Sequence, residues 1–360
     1  MSFHTCSASC MRPCPMNMSN PTFASPSTSS ATTPRSGYEG KVAGAPPSGP
    51  YAPRSWIGGG GWCGGGATDG RKGLKVRAVT RFVVMARDTA GWAAKIEAAA
   101  GLCASLAAEY TEQGYETQTL RIVTNPFGEY LDCSSLETAL AGLEVLKQAS
   151  VAASASAGLR IRVAIGAAQT AEEMALVPSM IKAYGDLCNI CVNIEADENG
   201  VVDAVMCDLA AGAVVELGEC TERGEGNFNF TANFHCEPLI PYFPAGYNTA
   251  ETGECFAIGL EHPDLIHAVL EALRLWEVPL VHRSQAWADA TLVLRDAVEA
   301  HVRILVAAAE RLSERTGVRF AGLDSSAAPS KDCVSMCKLF EVRCMAGVRV
   351  CACVSVCVCA

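Results

Sequence analysis

The sequence predicts an α/β fold, and three observations carry that expectation. Seven runs rich in β-branched and aromatic residues recur along the body of the chain, each closed by polar or turn-forming residues. Segments with apolar stripes at helical spacing lie between most of them. Capping residues and glycine stops bracket those segments. With half of its 360 residues apolar, the chain can bury one large core or two ordinary ones.

Residues 75–85 (KVRAVTRFVVM) form the first expected strand. A helix follows over 91–113, with Ile96, Leu102 and Leu106 on its apolar stripe and Gly114 as its stop. Residues 115–124 (YETQTLRIVT) form the next strand, closed by the turn Asn125-Pro126. Ser134 and Ser135 cap a helix that runs to about Ser150, with Glu137 in its first turn. A third strand occupies 160–167. Thr170 then caps a helix with Glu172 and Glu173 early, where acidic side chains suit the helix dipole. Residues 187–195 read as a strand, 196–200 as a turn and 201–217 as a helix. Strands at 227–235 and 255–260 follow, then a helix after Pro263. A long helical span over 284–316 ends at Gly317, and 318–324 (VRFAGLD) is the last strand. Strands joined by helical crossovers imply a mainly parallel sheet, closed into a barrel or doubly wound. Ligands of such sheets bind outside the carboxyl ends of the strands.

The segment 227–248 (NFNFTANFHCEPLIPYFPAGYN) carries the strongest functional signal. Read as a strand, it places Asn227, Asn229, Thr231, Asn233 and His235 on one face and Phe228, Phe230, Ala232 and Phe234 on the other. The aromatic face suits packing on helices. The polar face needs water, a ligand or a polar lumen to satisfy it, which points to a pocket.

Composition excludes several classes of function. Only 18% of residues are charged, the net charge is −10 and no Lys/Arg stripe with interleaved aromatics occurs, so nucleic acid is not an expected partner. No uninterrupted apolar segment reaches the roughly 18 to 20 residues that span a bilayer. A small-molecule ligand is the expected partner, and self-association stays open. Of 19 cysteines, seven fall from Cys333 onward and four lie in the first 63 residues. The eight of the body sit among apolar neighbours and read as reduced, buried thiols. Cys188 and Cys191 have redox-motif spacing, but residues three apart on a strand face opposite sides.

Three zones divide the chain. Residues 1–73 read as disordered. The first 38 hold no Asp or Glu and are dense in Ser, Thr, Pro and Met, as in a plastid or mitochondrial transit segment, the scarcity of Arg favouring plastid, or a tail with no address, the latter leaving the protein cytoplasmic. The glycines at 58–61 and 64–66 form a flexible linker, since no strand precedes them as phosphate-cradling loops require. Residues 74–332 are the α/β domain. From 333 to 360 the chain degenerates into a Cys/Val-rich tail whose end (VCACVSVCVC) reads like a translated GT-rich tract.

The strings QTLRIVTNPF (118–127), 227–248, FAIGLEH (256–262) and GLDSSAAP (322–329) are long and unusual. On them, residues 75–332 resemble the uncharacterised family known as domain of unknown function 711. That family in turn resembles the barrel of pyruvate formate-lyase and anaerobic ribonucleotide reductase, in which two parallel five-stranded halves are set antiparallel around a central site. The resemblance implies an incomplete ten-stranded β/α barrel, whose lumen receives the polar face of residues 229–235. No glycyl-radical loop is present, so radical catalysis is not implied and the cofactor is open.

Candidate functional residues cluster at strand ends. His235 and Glu237, two apart, could share an acid/base task or a metal, against the plainer reading of a hydrogen-bonded histidine closing a polar layer. Glu261 and His262 end the next strand, and Asp324 with Ser325 ends the last, where an Asx turn is the plainer reading. Arg121 sits mid-strand, where burial demands a partner, either a ligand carboxylate or phosphate or a structural ion pair. Asn125 ends the same strand. The prolines 238, 241 and 244 with Tyr242, Phe243 and Tyr247 make a stiff aromatic loop, either a lid or a plug. The convergence of Asn233, His235, Glu261 and Asp324 favours an enzyme acting on a small anionic metabolite, with a non-catalytic sensor as the alternative. The tail has its own test. Transcript reads crossing the codon for Asp332 are expected to splice into further coding sequence. A dominant mature transcript encoding the Val/Cys repeat, with monodisperse protein, would show the tail to be a real element.

Overall fold

The computed structural model describes residues 73–325, apart from residues 186, 275–276 and 278–281. The expectations for the leader, the glycine linker and the Cys/Val tail fall outside that range. Seven strands appear, at or near their expected places: β1 (Lys75–Val83), β2 (Thr117–Thr124), β3 (Ile161–Ala168), β4 (Asn189–Ile194), β5 (Phe230–Phe234), β6 (Cys255–Glu261) and β7 (Arg319–Asp324). Among the described residues six α-helices accompany them: α1 (Trp92–Glu112), α2 (Leu136–Ala157), α3 (Ala171–Tyr184), α4 (Ala204–Cys220), α5 (Pro263–Leu273) and α6 (Arg283–Thr316). The caps are those the sequence marks. Ser135 closes a capping box with Thr138, Thr170 accepts from the Glu173 backbone, and Gly317 takes the left-handed conformation after α6.

The strands form one curled half-barrel sheet in the order β5-β4-β3-β2-β1-β6-β7. β1 to β5 are mutually parallel, and β7 is parallel to β6. Between these two groups the direction reverses, because β6 pairs antiparallel with β1, Val79 opposite Ile258 and Phe82 opposite Cys255. The sheet is therefore two parallel blocks joined at one antiparallel seam.

Alternation along the strands separates two faces. Val79, Leu120, Ile122, Val163, Ile165, Ile190, Val192, Phe256 and Ile258 point to the helices and share one core with Ile96, Leu106, Leu143, Val177 and Leu305. Phe82, Val123, Ala164, Cys255 and Ala257 point the other way and form a second, smaller cluster with Leu239 and Phe243. That concave face is covered by the aromatic loop at residues 238–248. Its Gly246 lies so close to the sheet that an added Cβ would meet that of Ala164 at 2.7 Å. The cysteine reading holds at the start of β4. Cys188 is in the helix-side core, while Cys191 Sγ donates to Gly246 O at 3.5 Å on the concave side, and burial pushes the Cys191 thiol up to about 12.

The expected strand at 227–235 needs correction. Residues 222–229 form 3-10 turns, entered through left-handed Arg223 and Gly224, and pairing starts only where Phe230 lies opposite Ile190. The expected aromatic face is accordingly split. Phe230 is buried, but Phe228 and Phe234 are 79% and 56% exposed, because Phe228 precedes β5 and Phe234 ends it. Phe256→Ala should cost about 3–5 kcal/mol in urea unfolding, as for a fully buried phenylalanine. Phe228→Ala should stay within about 0.5 kcal/mol. Equal losses would contradict this division of the faces.

Candidate functional site

The reversal at the seam sorts the candidate residues between two ends of the sheet. Asn125, Asn193, Glu195 and His235 lie at or just beyond the carboxyl ends of β2, β4 and β5. Glu261 and Asp324 end β6 and β7, and Glu261 pairs in register with Lys75 at the start of β1. They thus sit at the opposite end. The expected convergence of Asn233, His235, Glu261 and Asp324 does not form, since a strand running the other way carries its end residues to the far rim.

Arg121 occupies the middle of the concave face and is 7% exposed. Thr80 and Arg162 are its register neighbours. Its Nη1 donates to Pro241 O at 3.5 Å, its guanidinium lies 4.9 Å from the centre of the Phe243 ring, and its Nε is buried with no partner. Burial first, then the charges of Arg77 and Arg162, push it down to about 10, with Asp324 opposing. The guanidinium remains charged at neutral pH and its donors are under-used.

The second block supplies the opposite charge. Glu261 is 3% exposed and both of its carboxylate oxygens are buried without a partner. The adjacent His262 is also buried, with Nδ1 unpartnered. Burial holds its imidazole below the usual histidine range, and Asp324, Glu261 and the Ser325 backbone pull the other way. Glu261, His262, Asp324 and Ser325 are therefore brought together, as neighbours at the ends of two adjacent strands.

The other end holds a separate constellation. His235 has left-handed backbone (φ 46°), which breaks the alternation that would have set it beside Glu237. Its Nδ1 instead lies 3.0 Å from Glu195 Oε2, and Asn193 Nδ2 donates to Glu195 Oε1 at 2.5 Å. Asn193 also accepts from Cys236 N at 3.0 Å. Glu195 and Tyr247, with Asn193, Gln169, Asp203 and Met206, line a cleft of about 230 Å³ beyond β3 and β4. Glu237 is exposed beside it. Asn233 donates to Ala245 O at 3.4 Å and so holds the covering loop. Asn125 accepts from Met85 N at 2.8 Å and donates to Glu129 Oε2 at 2.7 Å, tying β1 to the turn after β2. Asn229 lies before β5, against Gly185. Among the described residues, no three His, Cys, Asp or Glu side chains are placed to hold a metal ion.

A family described as Uncharacterised ACR (DUF711) matches residues 70–350. The chain belongs to this family. The match continues past Asp332 and stops at the start of the Val/Cys repeat. No curated protein matches the chain. The name carries no activity, so the chemistry of this DUF711 chain rests on its own residues. Sequence reading passed over Glu195, Arg77 and Arg162. Glu195 ends an apolar strand, as many solvated residues do, and the two arginines meet Arg121 only once β1, β2 and β3 are in register.

His262 makes a measurable contribution. Its folded pKa lies below the unfolded value of about 6.5. Its share of stability is therefore complete above about pH 6.5 and is lost as the pH falls through that value towards the lower, folded one. The thermal midpoint of the wild type should drop more steeply between about pH 7 and pH 5 than that of His262→Gln. Parallel curves would rule out the buried neutral imidazole.

Proposed function

We propose that the concave face binds a small anionic metabolite, with Arg121 grasping its carboxylate or phosphate. The observation that carries this is the arginine group. Three guanidiniums on neighbouring strands repel one another, and the most buried of them retains an unpartnered N–H. A ligand oxyanion would relieve that repulsion and fill the open donors in the planar geometry that guanidinium favours. The half-barrel is taken as part of a ten-stranded barrel of the pyruvate formate-lyase type. Support comes from the five parallel strands followed by two of reversed direction, the order two antiparallel halves require. The aromatic loop then serves as the plug of a polar lumen.

A catalytic form of the reading has its own support in the pair His235 and Glu195, which Asn193 orients beside a cleft at the strand ends. The carboxylate would set the imidazole tautomer and leave the other ring nitrogen to move a proton. The alternative is a sensor that binds without turnover.

Calorimetric titration of a panel of small carboxylates and phosphates should find at least one saturable ligand. Arg121→Gln should weaken it at least tenfold, about 1.4 kcal/mol. Absence of any ligand, or equal binding by the variant, would overturn the reading. Product formation that His235→Ala abolishes without loss of binding identifies an enzyme, and binding with no turnover identifies the sensor.

A further inference from the structure

We propose that the ligand is dipolar, an ω-amino acid or a similar small metabolite with an acid at one end and an amine at the other. Arg121 holds the acid, while Glu261, beside Asp324 and His262, holds the ammonium. This rests on the reading of Arg121 as an anion site and adds the second half of the ligand.

Glu261 carries the argument. Its side chain lies on the concave face, because Phe256, Ile258 and Leu260 of the same strand point to the helix-side core. A carboxylate taken out of water needs donors to offset its lost hydration, and both oxygens of Glu261 have none. Lys75 is its register partner across the seam, yet the Lys75 ammonium sits 3.4 Å from Glu116 Oε2 instead. Next to Glu261, the unpartnered Nδ1 of neutral His262 is a further acceptor. Two buried carboxylate oxygens that both lack a donor suit a group that brings several N–H bonds at once. A primary ammonium brings three.

The charges are also ordered along the sheet. Arg77, Arg121 and Arg162 belong to β1, β2 and β3, while Glu261 and Asp324 belong to β6 and β7. Between them the floor is low. Ala78 pairs with Gly259, which pairs with Asp324, and Gly322 lies opposite Ala257. A Cβ added at Gly259 would meet nothing closer than 3.8 Å. A positive block on β1 to β3, small residues at the seam and a negative block on β6 and β7 complement a molecule with its own charges at two ends.

The test uses the full chain and two matched series of probes in isothermal titration calorimetry. One series is the common α-amino acids and the ω-amino acids from β-alanine to 6-aminohexanoate. The other is the corresponding carboxylic acids without the amino group. At least one amino acid should bind tenfold or more tightly than its deaminated counterpart. Glu261→Gln should erase that preference while leaving the carboxylic acid within about twofold, and Arg121→Gln should weaken both series. Should Glu261→Gln fail to fold by circular dichroism, Asp324→Asn takes its place with the same readout. Carboxylic acids that bind as well as amino acids overturn the dipolar ligand and leave the anion site standing, as does a preference that survives both acidic-residue variants. Binding by neither series overturns the anion site and the dipolar ligand together.

Discussion

The antiparallel seam between β1 and β6 is the constraint on which the arrangement of charges depends. Arg81 secures it from the helix side. One of its nitrogens donates to Phe82 O at 2.8 Å and Cys255 O at 2.9 Å, and another meets Glu254 at 2.6 Å. Lys95 of α1 reaches the same carboxylate at 2.9 Å. A buried guanidinium satisfied in this way ties both strands to the helix layer at the point where β6 begins. Because β6 starts there and runs back along β1, Glu261 ends opposite Lys75. Had β6 run parallel, its acidic end would have joined Asn193 and His235 at the other rim, and the concave face would lack its negative pole.

The covering loop follows from the same face. A sheet surface bearing Arg121, Asn193 and Asn233 among Phe82, Val123 and Ala164 suits neither bulk water nor an apolar layer alone. The loop meets both demands. Leu239 and Phe243 take the apolar patch, while the carbonyls of Pro241, Ala245 and Gly246 accept from Thr80, Arg121, Asn233 and Cys191. The three with nitrogen or oxygen donors are 3.4–3.5 Å long, at the weak end of the range. Apolar packing therefore holds the loop more firmly than its polar contacts do. A ligand oxyanion could displace a carbonyl from Arg121 with little loss of hydrogen bonding.

Much of the fold was legible in the sequence because the elements carry local signals. Ser135, Thr170 and Gly317 act as caps where their chemistry marks them, and the seven strands lie near their expected positions. The strand at residues 227–235 misled for a reason equally local. Its alternation is regular, but left-handed Arg223 and Gly224 turn the chain, and the strand lengthens only as far as β4 offers partners. The helical crossovers marked the parallel strands, but nothing local marked the reversal at β6, since period two is the same for parallel and antiparallel pairing. That gap explains why Glu261 and Asp324 were expected beside His235. The proximity of Arg77, Arg121 and Arg162 was hidden likewise, as it exists only in the register of three strands separated by helices.

A structural explanation of Arg121 would make it the partner of Asp324 and nothing more. The rest of the face argues against that. The Nε of Arg121 stays without a partner despite Asp324, and Glu261, which ends the neighbouring strand of the second block, has no donor of its own. If stability alone had shaped this surface, Arg121 and Glu261 would be replaceable by apolar residues at little cost, since buried ion pairs seldom outperform well-packed hydrophobes. Unpartnered groups of both signs on one covered face instead mark an incomplete network. Each lone guanidinium N–H and carboxylate oxygen is a standing penalty in the free protein. A molecule bearing both charges removes the two penalties in one binding event, which gives it an advantage that neither a simple acid nor a simple amine can match.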